Sequence, residues 1–310
     1  MIEKRTVLIL GAGASMPYGF PSGSGLRRHI IEYLDKERIT SGGNTQLSNA
    51  LRDANFSPQQ LFEFRDELLS ADTTSIDVFL ERRTEFVEIG KAAIAATLIP
   101  LESTRNLFQT WTLPSVLMSQ TWYQYFASTL QMNYSNWDVH RLTIITYNYD
   151  RSLDHYLFTI LKASCQKSLE QCWQKFRTIR IIHLYGELGV YNPLEEEWLL
   201  YNSPLNGETI KRAAAGIRIV SENQDSKRFS EANDAISAAE RVYILGLGYA
   251  RETMARLSIR ANAPGKRVSG TAYHLTEAER RRLQLGLYLD NPFPTDWDIL
   301  HALRNSELLG

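Results

Sequence analysis

The 310-residue sequence contains very little cysteine, which limits the redox compartment and the kinds of cross-link or metal site to be expected. Cys165 and Cys172 are its two cysteines, and the six residues between them are not a spacing used by zinc sites. So few cysteines exclude a disulfide-stapled scaffold and predict free thiols in a reducing compartment. We therefore expect no disulfide bonds and no metal site.

Long apolar runs and an excess of either charge are also missing. No stretch approaches the roughly 18 apolar residues that cross a bilayer, and Met1–Arg5 leads directly into a strand-like run, so neither a membrane span nor a signal peptide is expected. Lys and Arg number 34 against 35 Asp and Glu, a net charge of −1. This balance gives no overall attraction to nucleic acid or to an anionic membrane. We expect a cytoplasmic protein without direct nucleic-acid contact.

Three short aliphatic runs are present, and each ends abruptly in small or polar residues. They are Val7–Leu10 before Gly11–Ser15, Thr143–Thr146 before Tyr147–Asp150, and Ile181–Ile182 before His183–Gly186. Their length and composition are typical of strands buried on both faces of a parallel sheet. Ligands of open α/β sheets lie at the carboxyl ends of the strands. The clusters therefore predict a ligand site that offers backbone N–H groups, an amide, a carboxylate and an imidazole.

The glycine cluster departs from the fingerprint of dinucleotide-binding dehydrogenases. Gly11 and Gly13 fit the first two glycines, but Met16 stands at the third glycine position and Pro17 follows it. Pro17 disfavours a helical conformation at Met16, so we expect a loop over residues 18–25 that folds over a ligand. A tight strand-to-helix turn that binds nothing is the alternative.

The clusters, taken in order, resemble the three NAD-site motifs of the sirtuin superfamily. The matching segments are Gly11–Ser15 with Gly19–Pro21, then Thr146–Asp150, then His183–Gly186. The amino-acid sequences of Gly19–Gly23 and Ser75–Leu80 resemble those of the bacterial sirtuin-like proteins of anti-phage defence more than those of deacylases. Val242–Tyr249 resembles the strand and loop that carry the adenosine end of NAD in that family.

The resemblance implies that the site binds NAD as a substrate. It implies catalytic roles for Asn148, whose amide positions a water or the ribose hydroxyls, and for His183 as a general base. For Asp150, contact with the ribose and a structural cap are equal alternatives. The implied NAD-binding residues are Gly11, Ala12, Gly13, Ala14, Ser15, Pro21, Ser22, Asp150, Tyr185, Gly186, Gly246 and Gly248.

The sequence departs from the sirtuin pattern in two places. The four-cysteine zinc ribbon that follows the histidine motif in deacylases is missing. The histidine that stands directly before the glycine in the family is replaced by Tyr185, and His183 lies two residues earlier. Residues 183 and 185 of an extended strand share a face, so His183 would reach the same cleft. The alternative is a core histidine whose ring is satisfied by a backbone carbonyl.

The distribution of helix-like and strand-like runs predicts an α/β protein with an inserted helical module. Helices are predicted at 26–33, 58–69, 75–99 and 114–130, and strands at 142–147, 179–184, 198–201, 217–220, 241–247 and 267–274. Ser57 and Ser75 are suitable N-caps for two of these helices. We predict a Rossmann-like parallel sheet from residues 1–25 and 141–310, with the helical residues 26–140 inserted. The aromatic residues Trp111, Trp122, Tyr123, Tyr125 and Phe126 are expected in its core or at a subunit interface.

These observations together predict an enzyme that hydrolyses NAD to nicotinamide and ADP-ribose. The resemblance further implies a toxic effector of anti-phage defence. It would be controlled by homo-oligomeric assembly or by a separate protein such as a HerA-type ATPase or an Argonaute-like protein. The alternatives are a non-catalytic NAD- or ADP-ribose-binding subunit, which Tyr185 favours, a protein deacylase, which the missing ribbon disfavours, and a dehydrogenase, which Pro17 disfavours.

Overall fold

The fold is built on a sheet whose strands all run in the same direction. The computed structural model describes residues 2–35, 45–108, 121–137, 139–195, 199–219, 226–249, 254, 256–257, 259–262, 265–285, 289–306 and 308. Within these residues, six parallel strands lie in the order β3-β2-β1-β4-β5-β6. They are β1 (Thr6–Leu10), β2 (Leu142–Thr146), β3 (Arg180–His183), β4 (Arg241–Leu245), β5 (Arg267–Gly270) and β6 (Asn291–Pro292).

The strand register brings the carboxyl ends of the central strands together. Leu10 lies beside Thr146 on one side and Leu245 on the other, and Thr146 lies beside His183. This strand order is that of doubly wound Rossmann sheets, in which ligands bind where the order reverses. The predicted Rossmann-like α/β class is confirmed. The clusters that follow β1, β2 and β3 lie together at the carboxyl ends of the strands.

Helices supply all the connections between strands in the described part of the chain. Between β1 and β2 they are α1 (Gly23–Tyr33), α2 (Thr45–Asp53), α3 (Pro58–Ser70), α4 (Ile76–Arg82), α5 (Val87–Leu98), α6 (Thr104–Leu107) and α7 (Trp122–Thr129). After β2 come α8 (Ser152–Ala163), α9 (Leu169–Phe176), α10 (Gly207–Gly216), α11 (Ser226–Ala238), α12 (Ile259–Asn262), α13 (Glu277–Leu285) and α14 (Ile299–Asn305). None of the helices in the described ranges is long and apolar enough to cross a membrane.

The two faces of the sheet are covered by separate hydrophobic clusters. Successive side chains of a strand point to opposite faces, so Leu8 and Leu10 pack on one face while Val7 and Ile9 pack on the other. The first cluster continues into the helices between β1 and β2, and the second includes Ala232, Ala235 and Ile236 of α11. Burial on both faces explains why these strands are continuously apolar in sequence.

Helix α5 forms the centre of the helical region. Its residues are buried on every side except at Glu88, and helices that are apolar all round belong in an interior. It packs against α1, α2 and α10. The helices within residues 26–140 thus share a hydrophobic cluster with the sheet. The division into a sheet domain and an inserted helical module, with boundaries after residues 25 and 140, stays a prediction.

The helix predictions are correct in type and partly wrong in extent. Ser57 and Ser75 cap α3 and α4, the first through a capping box with Gln60. The helix predicted over 75–99 is interrupted at Arg83, where the turn lets Phe79 and Phe86 pack on each other and on Phe64. For the helix predicted over 114–130, residues 114–120 lie outside the described residues, and α7 begins after its N-cap Thr121.

Two predicted strands are wrong. Residues 199–201 form no strand, and Ile217 makes a single bridge to Gly186, while residues 198 and 220 lie outside the described residues. The strand predicted over 267–274 ends at Gly270. No helix was predicted at α2, α6, α8 to α12 or α14, and no strand was predicted at β6. Of the aromatic residues, Trp122, Tyr123 and Phe126 are buried in the core and Trp111 lies outside the described residues.

Candidate functional site

The loop after β1 consists of two short 3₁₀ turns, Ala12–Ala14 and Met16–Tyr18, and α1 begins only at Gly23. The prediction that no dehydrogenase-like helix follows Gly13 is therefore confirmed. The segment 18–25 is shorter as a loop than predicted, because the Ser22 hydroxyl accepts the Gly25 N–H at 3.1 Å and caps α1. Tyr18 and Phe20 are buried, and they anchor this segment to the core.

The glycines of the first loop permit close packing against the loop after β4. The Gly13 N–H donates to the Gly246 carbonyl at 2.9 Å, and Gly246 itself has a φ of +67°, in the left-handed region. A Cβ placed on Gly13 would lie 2.8 Å from the Gly246 oxygen. Of the two predicted NAD-binding glycines on the β4 side, Gly246 is thus held in the packing. A Cβ added to Gly248 would meet no atom of the described residues within 4 Å.

Most backbone N–H groups of the glycine loop are already used. Gly11 donates to Leu245, Gly13 to Gly246, Ala14 to Gly11 and Ser15 to Ala12, at distances of 2.9–3.0 Å. The Ala12 N–H has no hydrogen-bond partner among the described residues. In this conformation the loop offers a phosphate one free donor rather than the row of donors that the sequence predicted.

Asn148 joins the ends of β1 and β2. Its Nδ2 donates to the Gly11 carbonyl at 3.1 Å and to the Ser15 hydroxyl at 2.9 Å, which fixes which end of the amide is nitrogen. Its backbone N–H donates to Thr146 Oγ1 at 3.0 Å. Its Oδ1 makes no hydrogen bond to a described residue, so an acceptor remains available at the end of the strand.

Asp150 is buried behind Asn148 and is tied to both neighbouring loops. Its Oδ1 accepts from the Ser152 backbone N–H at 3.1 Å and from the Ser152 hydroxyl, and its carboxylate also bonds the Ser15 side chain. Burial raises the pKa of Asp150, and the hydrogen bonds from Ser152 and Ser15 oppose that rise. Since Ser152 begins α8, this geometry fits the structural cap that the sequence left open.

His183, at the end of β3, has hydrogen-bond partners on both ring nitrogens. Nδ1 lies 3.1 Å from the Asn148 carbonyl oxygen, and Nε2 lies 3.2 Å from Asp154 Oδ2 on α8 and 4.0 Å from Glu187 Oε2. Burial lowers the pKa of His183, but the carboxylates of Asp154 and Glu187 and the hydrogen bonds outweigh it and raise this pKa to about 9. The general-base role stays a prediction, and the geometry favours the alternative of a histidine bound by a backbone carbonyl.

Tyr185 does not lie on an extended strand with His183. β3 ends at His183, and Leu184 and Tyr185 form a turn, so the prediction of a shared strand face is wrong. The Tyr185 ring is 5.7 Å from that of Tyr147 between centroids, and its hydroxyl accepts from Arg256. Gly186 follows with a φ of +70°, and a Cβ there would meet the Gly216 carbonyl at 2.0 Å.

Helix α4 places two carboxylates, those of Asp77 and Glu81, near the carboxyl ends of the strands. The Tyr149 hydroxyl donates to Asp77, and Arg256 donates to Glu81 as well as to Tyr185. Asp77 therefore ties α4 to Tyr149, the residue next to Asn148. Arg256 and Glu81 are about four-fifths buried, with exposed fractions of 21% and 23%.

A small cavity lies at the carboxyl ends of β1, β2 and β3. It has a volume of about 10 Å³, close to the room that one water needs, and Ser15, Asn148, Asp150, Asp154 and His183 line it together with Tyr123. The structure thus brings together the predicted residues Ser15, Asn148, Asp150 and His183. Across the described ranges, no three His, Cys, Asp or Glu side chains are placed to hold a metal ion.

Sequence reasoning missed Asp154, Glu187 and Arg256. Asp154 lies on the first turn of α8, four residues after Asp150, which was a usable signal for a second carboxylate near the site. Glu187 directly follows the motif glycine. Arg256 has no local signal, because its partner Glu81 is 175 residues away in sequence.

Comparisons with known proteins give weak structural likenesses. No protein-family model matches the chain, and no curated protein matches it. Among solved structures it is similar to a Sir2 homologue mutant in complex with 2′-O-acetyl-ADP-ribose, at 14% identity and a TM-score of 0.43, covering 99% of this chain and 91% of that chain. It is also similar to Sir2Tm bound to a propionylated peptide, at 14% identity and a TM-score of 0.39, covering 98% and 92%. The class of the fold follows from the strand order and directions, independently of these matches.

Proposed function

We propose that this protein binds NAD at the carboxyl ends of β1, β2 and β4 and hydrolyses the bond between nicotinamide and ribose. The observation that carries the proposal is Asn148, whose Nδ2 is bound to Gly11 and Ser15 while Oδ1 faces no described partner. A rigid acceptor at the strand end of a doubly wound sheet is placed where such sheets bind ligands. The ordered set of motifs that resembles the sirtuin NAD site supports NAD as the ligand.

The reaction asks little of protein side chains. Nicotinamide is cationic in NAD and leaves as a neutral molecule with the electron pair of the glycosidic bond. The ribose then carries positive charge in an oxocarbenium-like transition state, as in other glycoside cleavages. A water oxygen forms the new bond to the anomeric carbon and loses its proton, which gives ADP-ribose. The site has to orient the ribose and water and to favour the positive charge.

The described residues suit these tasks. Asn148 Oδ1 would accept a hydrogen bond from the water or from a ribose hydroxyl. The carboxylates of Asp150 and Asp154, which line the cavity beside Asn148, would favour positive charge nearby. The free Ala12 N–H would donate to a phosphate oxygen. Roles for the other predicted NAD-binding positions, Pro21, Ser22, Tyr185, Gly186 and Gly248, are part of the same proposal.

We further propose that the enzyme is an effector of anti-phage defence, restrained by homo-oligomeric assembly or by a separate regulatory protein such as a HerA-type ATPase or an Argonaute-like protein. An unrestrained NAD hydrolase would deplete the NAD of its own cell. The resemblance of Gly19–Gly23 and Ser75–Leu80 to defence proteins supports this role.

A non-catalytic NAD- or ADP-ribose-binding subunit is the second candidate. Two observations favour it: Tyr185 stands where the family has its histidine, and both ring nitrogens of His183 are occupied. This candidate predicts binding of NAD without release of nicotinamide under any condition of assembly.

The test is nicotinamide release from NAD by the purified protein, alone and with candidate partners, compared with Asn148→Ala. We expect the variant to lose more than tenfold in rate, about 1.4 kcal/mol or more of transition-state stabilisation. Asn136→Ala is the matched control, since Asn136 is an exposed asparagine in the loop before β2. Equal turnover of wild type and Asn148→Ala would refute the assignment, and calorimetric NAD binding without any release would establish the second candidate.

A further inference from the structure

We propose that His183 is a positioning residue, which as a doubly protonated imidazolium holds the main chain of Asn148 in place instead of accepting a proton in the reaction. The role rests on the proposed function, because Asn148 is the group it positions. It assigns to His183 a task different from the general base that the sequence predicts.

The hydrogen-bond geometry requires two donors from the ring. Nδ1 faces the Asn148 carbonyl oxygen at 3.1 Å, and Nε2 faces Asp154 Oδ2 at 3.2 Å. A carbonyl oxygen and a carboxylate are both acceptors, and a neutral imidazole carries one N–H. A neutral ring would therefore leave one nitrogen lone pair pointing at an oxygen lone pair in a buried place. The imidazolium satisfies both contacts.

The charges around His183 favour the imidazolium. Asp154 from α8, Glu187 from the loop after β3 and Asp150 from the loop after β2 all act on it as negative groups. Arg228 of α11 donates to the His183 carbonyl at 2.8 Å, and Arg151 and Arg228 face Glu187. The three carboxylates oppose the loss of the His183 proton that burial alone would promote.

Hydrogen bonds fix both the main chain and the side chain of Asn148. Its residue is held at the backbone nitrogen by Thr146, at the side-chain nitrogen by Gly11 and Ser15, and at the backbone oxygen by His183. With these points fixed, the peptide plane cannot rotate freely and Oδ1 keeps one direction. Loss of the His183 bond releases the backbone oxygen, which broadens the positions that Oδ1 visits.

This role and the general-base role predict opposite pH dependences. A base works above its pKa, so activity would rise with pH through the pKa of His183. A positioning imidazolium works below its pKa, so activity would be lost on the alkaline side, near pH 9. Asp154→Asn removes a carboxylate that stabilises the imidazolium, so it would move the alkaline loss to lower pH by about one unit or more.

The first experiment does not depend on catalysis. The protein is labelled with ¹⁵N-histidine, and the ring resonances of His183 are assigned by their disappearance in His183→Gln. We expect both ring nitrogens to be protonated at pH 7, and an unprotonated ring nitrogen would overturn the proposal. Because this readout needs no turnover, it stands even if NAD cleavage is not found.

The second experiment measures kcat and KM for NAD across pH 5–10 in wild type, Asp154→Asn and His183→Gln. We expect an alkaline limb that shifts to lower pH in Asp154→Asn, and a loss in kcat of about tenfold with little change in KM in His183→Gln. His301→Gln is the control, since His301 forms an exposed pair with Asp298 and should leave the profile unchanged. An activity that rises through pH 7–9 in wild type would show that His183 is the base. If His183→Gln does not fold, the pH profiles of wild type and Asp154→Asn still decide.

Discussion

Gly13→Ala tests whether the glycines of the first loop serve the packing of two loops. A Cβ at Gly13 would lie 2.8 Å from the Gly246 oxygen and 2.9 Å from the Gly246 Cα. Both are backbone atoms at the end of β4, so neither can move aside without shifting that loop. Overpacking of this kind costs about 1–3 kcal/mol. We expect the free energy of unfolding to fall by that amount and Tm to fall by several degrees.

Gly248→Ala is the matched control, because a Cβ there would meet no atom of the described residues within 4 Å. A glycine-to-alanine change without strain stabilises a protein by about 0.4–1 kcal/mol, through the reduced freedom of the unfolded chain. The assay is denaturant unfolding followed by circular dichroism, with Tm from a thermal scan. If the two variants have the same free energy of unfolding, the loop packing does not explain the glycine at position 13.

Three further predictions concern a buried ion pair, a pair of cysteines and a half-buried histidine. Glu102→Gln should lower the free energy of unfolding by about 3–5 kcal/mol, because it leaves Arg151 buried without its charge partner, and a loss below 1 kcal/mol in denaturant unfolding would contradict this. A mild thiol oxidant should join Cys165 and Cys172, whose sulfurs are 3.6 Å apart, and persistence of both thiols in a thiol titration would argue against that geometry. Burial and the charge of Arg151 lower the pKa of His155 from 6.5 to about 4, so stability should fall as pH drops through this range, and His155→Phe should reduce that slope in unfolding measured across pH.

The strands and the glycine loop were predictable because their signals are local. A strand buried on both faces needs a continuous apolar run, and Val7–Leu10, Thr143–Thr146 and Val242–Leu245 each supply one that ends in a small or polar residue. The α-helix after Gly13 begins only at Gly23, in line with the prediction, but Met16 starts a 3₁₀ turn, so the predicted effect of Pro17 on Met16 is wrong.

The wrong strands show where local signals stop. Residues 199–201 form a short apolar run, and residues 217–219 alternate isoleucine, arginine and isoleucine, yet both lie outside the six-stranded sheet. Neither pattern by itself specifies a strand. The opposite error occurs at β6, whose two residues include Pro292 and which pairs only at the edge of the sheet. In both cases, whether a segment forms a strand depends on its contacts with residues distant in sequence.

The environment of His183 was the least predictable part of the site. The sequence placed an imidazole at a strand end, but the two acceptors that determine its protonation come from the loop after β2 and from α8. The same holds for Arg256, which joins Glu81 of α4 to Tyr185. Tertiary contacts of this kind set the chemistry of a side chain, and no spacing rule in one sequence encodes them.

The central place of β1 also has a consequence for synthesis on the ribosome. Its two neighbours in the sheet end at Thr146 and Leu245, and the second is 235 residues beyond Leu10. At about 5–20 residues per second, translation takes roughly 12–47 s to make that stretch. During this interval the apolar strand Thr6–Leu10 lacks at least one partner, so a nascent chain stalled before β4 should bind chaperones that recognise exposed hydrophobic strands. Helices α2 and α5 lie between β1 and β2 in sequence, but both pack against α10 (Gly207–Gly216), so their packing is also completed late in synthesis.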